Sequence, residues 1–299
     1  MEQEAKVEFY KNRSIGERFA ASGDFIRQNW KVLLKNIGYI GAPLALIQGY
    51  LSYNYTQNML GGLTSGNFST TNIQAILLMF LFSILLILFL YSMTGSILNK
   101  YVKGKLTEET GWPDLSEKMF SFSGKLLLQW LIMVVGVIVV AIVAGLIAGI
   151  LALSQSKMLI AAVIGFEILL IFALVIVLIP SLSFIIYPVF FEDASAWGGI
   201  KKSFRMGIKH WGSIFLTILL ASLLTGIVSY ILSMPYFIYL MFNISKSGLI
   251  GYILAMLSSL GSVVIYPIFI VFCGLQYTSI VEVEEGISLQ NRMDEFDNL

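Results

Sequence analysis

The sequence predicts an all-α integral membrane protein with six transmembrane helices. Three observations carry that prediction. Hydrophobic residues make up 57% of the 299-residue chain and charged residues only 12%, against about 25% in soluble domains. The mean hydropathy is +0.83. Charges are gathered into segments separated by apolar stretches, each long enough for one or two bilayer crossings of about 20 residues.

The elements follow in order. No charge occurs between Lys35 and Lys100, and the polar insert NYTQNMLGGLTSGNFSTTN (54–72) divides that interval into spans at 34–53 and 73–98. The uncharged stretch after Lys125 gives a third span at 126–153, and a fourth at 159–190 contains Glu167. Spans five and six fall at 213–242 and 249–279. Residues 1–282 thus read as a single polytopic membrane domain, with 283–299 a short acidic tail at the cytoplasmic side. The charged N-terminal segment has no apolar core of the kind a secretory signal needs.

Basic residues set the expected orientation. The N-terminal segment carries Lys6, Lys11, Arg13, Arg18, Arg27, Lys31 and Lys35, and the connection after span two carries Lys100, Lys103, Lys105, Lys118 and Lys125. Lys201, Lys202, Arg205 and Lys209 lie between spans four and five, whereas the alternate connections hold only Lys157 and Lys246. Such asymmetry places the basic loops and both termini in the cytoplasm, and the protein in the cytoplasmic (inner) membrane. All five tryptophans sit in or beside the basic connections, the level at which an indole is half buried and its N–H wet.

Each odd-numbered span is preceded by an apolar stripe at helical spacing. Ile15, Phe19, Ile26 and Trp30 form the first; Leu115, Met119, Phe122 and Leu126 the second; Trp197, Ile200, Phe204, Ile208 and Trp211 the third. The third is flanked by Lys201, Lys202, Arg205 and Lys209, a basic amphipathic pattern of the kind that lies in a membrane interface. The rhythm fits three helical-hairpin repeats, each preceded by a cytoplasmic amphipathic helix. It fits equally any six-helix protein with basic inner loops.

The stretch PVFFEDASAWGGIKKSFRMGIKHWGSIFLTILL has a proline late in a span, then acids and small residues, then a basic helix and a tryptophan. Through Pro188, Glu192, Asp193, Ala196, Lys202, Ser203, Arg205 and Trp211 it resembles the membrane domain that accompanies some bacterial glycerophosphodiester phosphodiesterases, and related uncharacterised six-span bacterial membrane proteins. The resemblance implies a membrane module. The catalytic domain of those fusions has no counterpart here, so their activity is not implied.

Chemistry-bearing residues are few. Glu167 is the one carboxyl inside a span, and a charge there is costly enough to mark a functional candidate. A hydrogen bond to a neighbouring helix, a substrate or proton site, and a lipid-facing position are all open to it. Pro43, Pro180, Pro188, Pro235 and Pro267 sit in or at the ends of spans and predict kinks,. GLIAG (145–149) is a GxxxG pattern that predicts close helix packing,. The sequons at Asn54, Asn67 and Asn243 read as chance matches given the bacterial resemblance. Cys273 is alone, and no HExxH, GxSxG or P-loop occurs,. No catalytic constellation, cofactor or metal is therefore expected, and a net charge of +1 leaves nothing to neutralise nucleic acid,.

The composition thus points to a non-enzymatic multi-pass membrane protein. The first expectation is a scaffold or accessory subunit that meets membrane lipids, and other membrane proteins, through its basic collar. The alternative is a carrier for a lipid or small apolar molecule with a site near Glu167.

Overall fold

The computed structural model describes residues 6–65, 70–152, 157–242, 248–288 and 290. Among them all regular structure is helical: α1 (Ile15–Ser65), α2 (Thr70–Val102), α3 (Trp112–Ala152), α4 (Lys157–Ser183), α5 (Tyr187–Glu192), α6 (Ala196–Lys209), α7 (Trp211–Phe242) and α8 (Leu249–Glu285). Five stretches are long and apolar enough to cross a membrane: Ile73–Val102, Trp112–Leu146, Gly165–Glu192, Trp211–Phe242 and Leu249–Glu285. Most of the acidic tail, residues 291–299, and the sequons at Asn67 and Asn243 lie outside the described residues.

The expected span 34–53 lies inside α1 and is more polar than those five, because Asn36, Gln48 and Ser52 interrupt it. These groups are spent on internal bonds. Asn36 is buried and donates to the carbonyls of Val32 and Thr110 at 3.0 and 3.1 Å. Gln48 donates to Ser83 Oγ of α2 at 2.6 Å.

Two of the three expected interfacial helices are not separate. α1 runs unbroken over 51 residues, about 75 Å at 1.5 Å per residue, and α3 runs from Trp112 through its span. Neither junction holds a proline, so backbone hydrogen bonding simply continues. The stripe on α1 is also displaced: Arg18, Ala21, Ser22, Phe25, Val32 and Leu33 are buried, while Trp30 is exposed. On α3 the residues of the expected stripe, Leu115, Met119, Phe122 and Leu126, are all buried within the protein. Only α6 is a helix of its own.

Four of the prolines, Pro43, Pro180, Pro235 and Pro267, lie inside α1, α4, α7 and α8. Each removes one N–H from the helical ladder. Pro188 does more. The expected continuous span 159–190 breaks at 184–186, and Pro188 opens α5. A proline disfavours helical geometry in the residue before it and cannot bond back to Phe184.

The chain divides into two compact units: residues 1–123 with 219–299, and residues 124–218.

In the first unit α1 packs along α8 and α2. Contact is closest where α1 presents Gly41, Ala45 and Gly49 on successive turns. A Cβ on Gly49 would lie 2.5 Å from Met256 Cα and 2.6 Å from the Ala255 carbonyl. At the far end of α1, Tyr53 and Tyr252 meet edge to face at 4.5 Å, and Tyr50 stacks on Tyr252 at 5.1 Å. Asn54 accepts from Tyr252 Oη at 2.8 Å and donates to the Tyr50 carbonyl at 3.1 Å. Its amide is part of this packing.

At the other end, the segment before α1 lies over the helix ends. Phe9 is buried edge-on to Phe25 and Tyr101, both at 5.6 Å and 4.8–5.6 Å apart as a trio. Thr278 Oγ1 donates to the Phe9 carbonyl at 2.9 Å, and the Arg13 N–H donates to Ser279 Oγ at 3.1 Å. Arg18 is buried against α8, where it donates to Gln276. Burial pulls its pKa down, and the charge of Arg13 adds to the shift.

α1 begins with a reciprocal cap. The Ser14 N–H donates to Glu17 Oε2 at 2.7 Å, and the Glu17 N–H donates to Ser14 Oγ at 3.4 Å, the capping-box arrangement. The backbone bond from Ser14 holds the Glu17 carboxyl below its ordinary range. A depressed carboxylate contributes stability at neutral pH that is lost as pH falls through its folded-state value. The protection of the Ser14 amide, taken relative to its intrinsic exchange rate at each pH, should therefore fall on acidification. In Glu17→Gln, whose amide can still cap, that pH dependence should vanish; its persistence would assign the effect to another group.

In the second unit the broken helix dictates the packing. Ile185 N–H turns back to the Leu182 carbonyl, and Val189 and Phe190 both donate to Ile186. The carbonyls of Ser181 and Ile185 are thereby released from the ladder. In an apolar medium such groups need internal partners, and both find one. Ser203 Oγ of α6 donates to the Ser181 carbonyl. Gln129 Nε2 of α3 donates to the Ile185 carbonyl at 2.8 Å and to that of Ala196 at 3.2 Å. α6 can approach so closely because Gly199, Ser203 and Gly207 line its buried face; a Cβ on Gly207 would strike Ser181.

Candidate functional site

Between α2, α7 and α8 of the first unit lies a cleft of about 380 Å³. Its walls carry an unusual density of hydroxyls for a membrane protein. α7 contributes Ser222, Thr225, Ser229 and Ser233, at steps of three, four and four, which is one helical face,. α8 faces them with Ser258, Ser262 and Tyr266, and α2 adds Tyr91. Gly226 and Gly261 leave room between the walls. The two helices meet at one end through a hydroxyl pair, Ser258 to Ser233 at 2.8 Å. Tyr91 and Tyr266 lie ring to ring at 6.0 Å.

The hydroxyls fall into two groups. Thr225 donates to the Ala221 carbonyl at 2.7 Å and Ser262 to the Ser259 carbonyl at 2.6 Å, the back-bonding by which membrane helices satisfy such side chains. The side chains of Ser222, Ser229, Tyr91 and Tyr266 have no hydrogen-bond partner among the described residues. No acid, lysine, arginine or histidine lines the cleft. A serine nucleophile needs a base within reach, and these walls hold none. What they offer is a set of hydroxyl donors and acceptors,.

The residues singled out from sequence lie elsewhere. Glu167 is on α4 in the second unit, half buried, with Phe166, Ile168 and Leu169 exposed around it. Its Oε1 is shielded and has no hydrogen-bond partner among the described residues. Among the described residues, nothing lies within 4 Å of a Cβ built on Gly145 or Gly149 in the GxxxG stretch of α3.

The basic residues of α6 are divided. Ser195 caps the helix by accepting from the Gly198 N–H at 3.1 Å, after Asp193 turns the chain in the left-handed region at φ 53°. Lys202 is committed to Glu192, donating to both carboxylate oxygens at 2.8 Å. Lys201, Arg205 and Lys209 are exposed, beside the exposed side chains of Trp197 and Ile208. Around α6, then, a small-residue face packs on protein, an apolar strip lies next to it, and a basic strip completes the circle.

Sequence reasoning passed over the hydroxyl stripe, although its spacing in SLLTGIVSYILS was visible. It passed over Gly41, Ala45 and Gly49 too, which form the small-residue contact that the helices use.

Helix lengths and hydropathy mark a multi-pass helical membrane protein. The chain belongs to DUF7847, a domain family of unknown function, which it matches over residues 36–282. Neither the curated proteins nor the solved structures contain a match to it.

Proposed function

We propose that this protein is a non-enzymatic membrane carrier that holds a lipid or other small amphiphile in the cleft between α2, α7 and α8. The observation that carries this reading is the cleft itself: intramembrane, hydroxyl-lined and without charge. Its volume falls in the range of small-molecule sites, roughly 300–1,000 Å³. The absence of any acid or base on its walls supports carriage over chemistry. On this reading both termini and the basic connections face the cytoplasm, in agreement with the lysine and arginine asymmetry, and the site is the cleft and not Glu167.

Proteoliposomes carrying a panel of nitrobenzoxadiazole-labelled lipids, scored by dithionite quenching, test the proposal. At least one lipid should change leaflet faster with the protein than without it. Gly226→Leu should lower that rate by an order of magnitude, since nothing lies within 4 Å of a Cβ there and the added side chain enters the cleft. Glu167→Gln should leave it unchanged. Equal rates in the wild type and Gly226→Leu would overturn the assignment.

A second reading, a scaffold that gathers anionic lipid or partner proteins, draws on α6. Its exposed Trp197 and Ile208 beside Lys201 and Arg205 suit a helix resting at the headgroup level, apolar strip inward and cations toward phosphate.

A further inference from the structure

We infer that the ligand of the cleft is an uncharged lipid bearing a free hydroxyl, of the diacylglycerol or long-chain alcohol class. The inference rests on the carrier reading and narrows it to one chemistry. Two properties of the walls support it.

The first is what they lack. A phosphate, carboxylate or ammonium moved from the headgroup layer into this cleft would meet no opposite charge, because no aspartate, glutamate, lysine, arginine or histidine lines it. Transfer of an unpaired ion into such surroundings is prohibitive. A zwitterionic headgroup faces the same obstacle twice. The ligand is therefore one whose polar end is neutral.

The second is what they supply. Serine and tyrosine hydroxyls both donate and accept. Ser222 and Ser229 on α7 line the same cleft as Tyr91 and Tyr266, and none of the four spends its hydroxyl on another described residue. Serines in membrane helices ordinarily back-bond to their own helix, as Thr225 and Ser262 do here. Two that do not, together with two tyrosines on the same walls, leave four hydroxyls available at the cleft. An alcohol suits it, since its oxygen accepts from one wall while its proton goes to the other. Ile265, Phe269 and Leu232 among the lining residues provide the apolar surface for the first carbons of a chain.

The full-length protein in phosphatidylcholine nanodiscs, labelled with a photoreactive diacylglycerol, tests this. Label should map to peptides of α7 and α8. Dioleoylglycerol should compete for it, while dioleoylphosphatidic acid, with the same chains and backbone but a phosphate in place of the hydroxyl, should not. Ser222→Ala with Ser229→Ala should weaken labelling roughly tenfold, and Gly226→Leu should abolish it in a protein that stays monodisperse. Phosphatidic acid competing as well as dioleoylglycerol would overturn the neutral-ligand assignment and leave the carrier reading standing. Label that avoids α7 and α8, or that Gly226→Leu leaves unchanged, would overturn both.

Discussion

Gly49→Leu will abolish the folded state of the first unit. The α1 backbone at Gly49 lies against α8 so closely that even a methyl group would sit 2.5 Å from Met256 Cα and 2.6 Å from the Ala255 carbonyl. Those are backbone atoms of a long helix, and they cannot swing aside as the tip of a flexible side chain can. Overpacking in a core ordinarily costs about 1–3 kcal/mol, occasionally more. This site stands at the upper end because relief requires moving one helix off another. The separation would also loosen the contact of Gly41 with Phe89, Leu90 and Val263 two turns away, and Gly251 against Tyr53 further along. The expected result is loss of the monodisperse peak in detergent, and a large fall in unfolding temperature for the milder Gly49→Ala. Gly145→Ala is the control: no described atom lies within 4 Å of a Cβ there, and alanine is the better helix former, so its unfolding temperature should not fall. A tolerated Gly49→Leu would show that α1 and α8 do not touch as described.

The second large effect lies at Gln129. Its amide is almost wholly buried and donates to two carbonyls, those of Ile185 and Ala196. Ile185 needs that bond because Pro188 ends the local ladder. Gln129→Leu keeps the bulk and removes both donors. A buried carbonyl left unpaired costs about 1–3 kcal/mol; Ile185 would bear that cost, while the Ala196 carbonyl keeps its helical bond within α6. The loss should be local. Hydrogen exchange should rise at α5 and at the start of α6, while α1 and α8 stay protected. Gln129→Asn, one methylene shorter, should recover little, since the amide no longer reaches. Uniform destabilisation of every helix would show instead that the residue matters only as packing.

Both effects bear on what could be read from the chain beforehand. The existence of the apolar helices was legible, because charge is excluded from stretches of the right length and nothing else explains such gaps. The continuity of α1 was not. Its amphipathic start and its span differ in composition, but helix hydrogen bonding is indifferent to composition, and only a breaker between them would have divided the two. At Pro188 the breaker was visible, and the consequence, two orphaned carbonyls, was deducible. Their partners, Gln129 and Ser203, lie 56 and 22 residues away in sequence, and only the tertiary structure brings them in.

The site was obscured for a related reason. Glu167 drew attention because a carboxyl in a span is expensive, whereas a serine is cheap and ordinarily satisfies itself on its own helix. A stripe of hydroxyls therefore looks inert until a second helix sets another stripe opposite. Small residues pose the same difficulty. Gly145 and Gly149 match the familiar spacing, as do Gly41, Ala45 and Gly49, and only the latter set has a helix against it.

The division of the chain also imposes an order on its biogenesis. Residues 124–218 are contiguous, so that unit can complete itself as soon as they have left the ribosome. Its companion draws on segments from either side of it in sequence, and Phe9 waits for Thr278, 269 residues further along. A nascent protein stalled before α8 would expose the whole seam of α1 to the bilayer, a half-built state that quality-control proteases in the membrane are equipped to find.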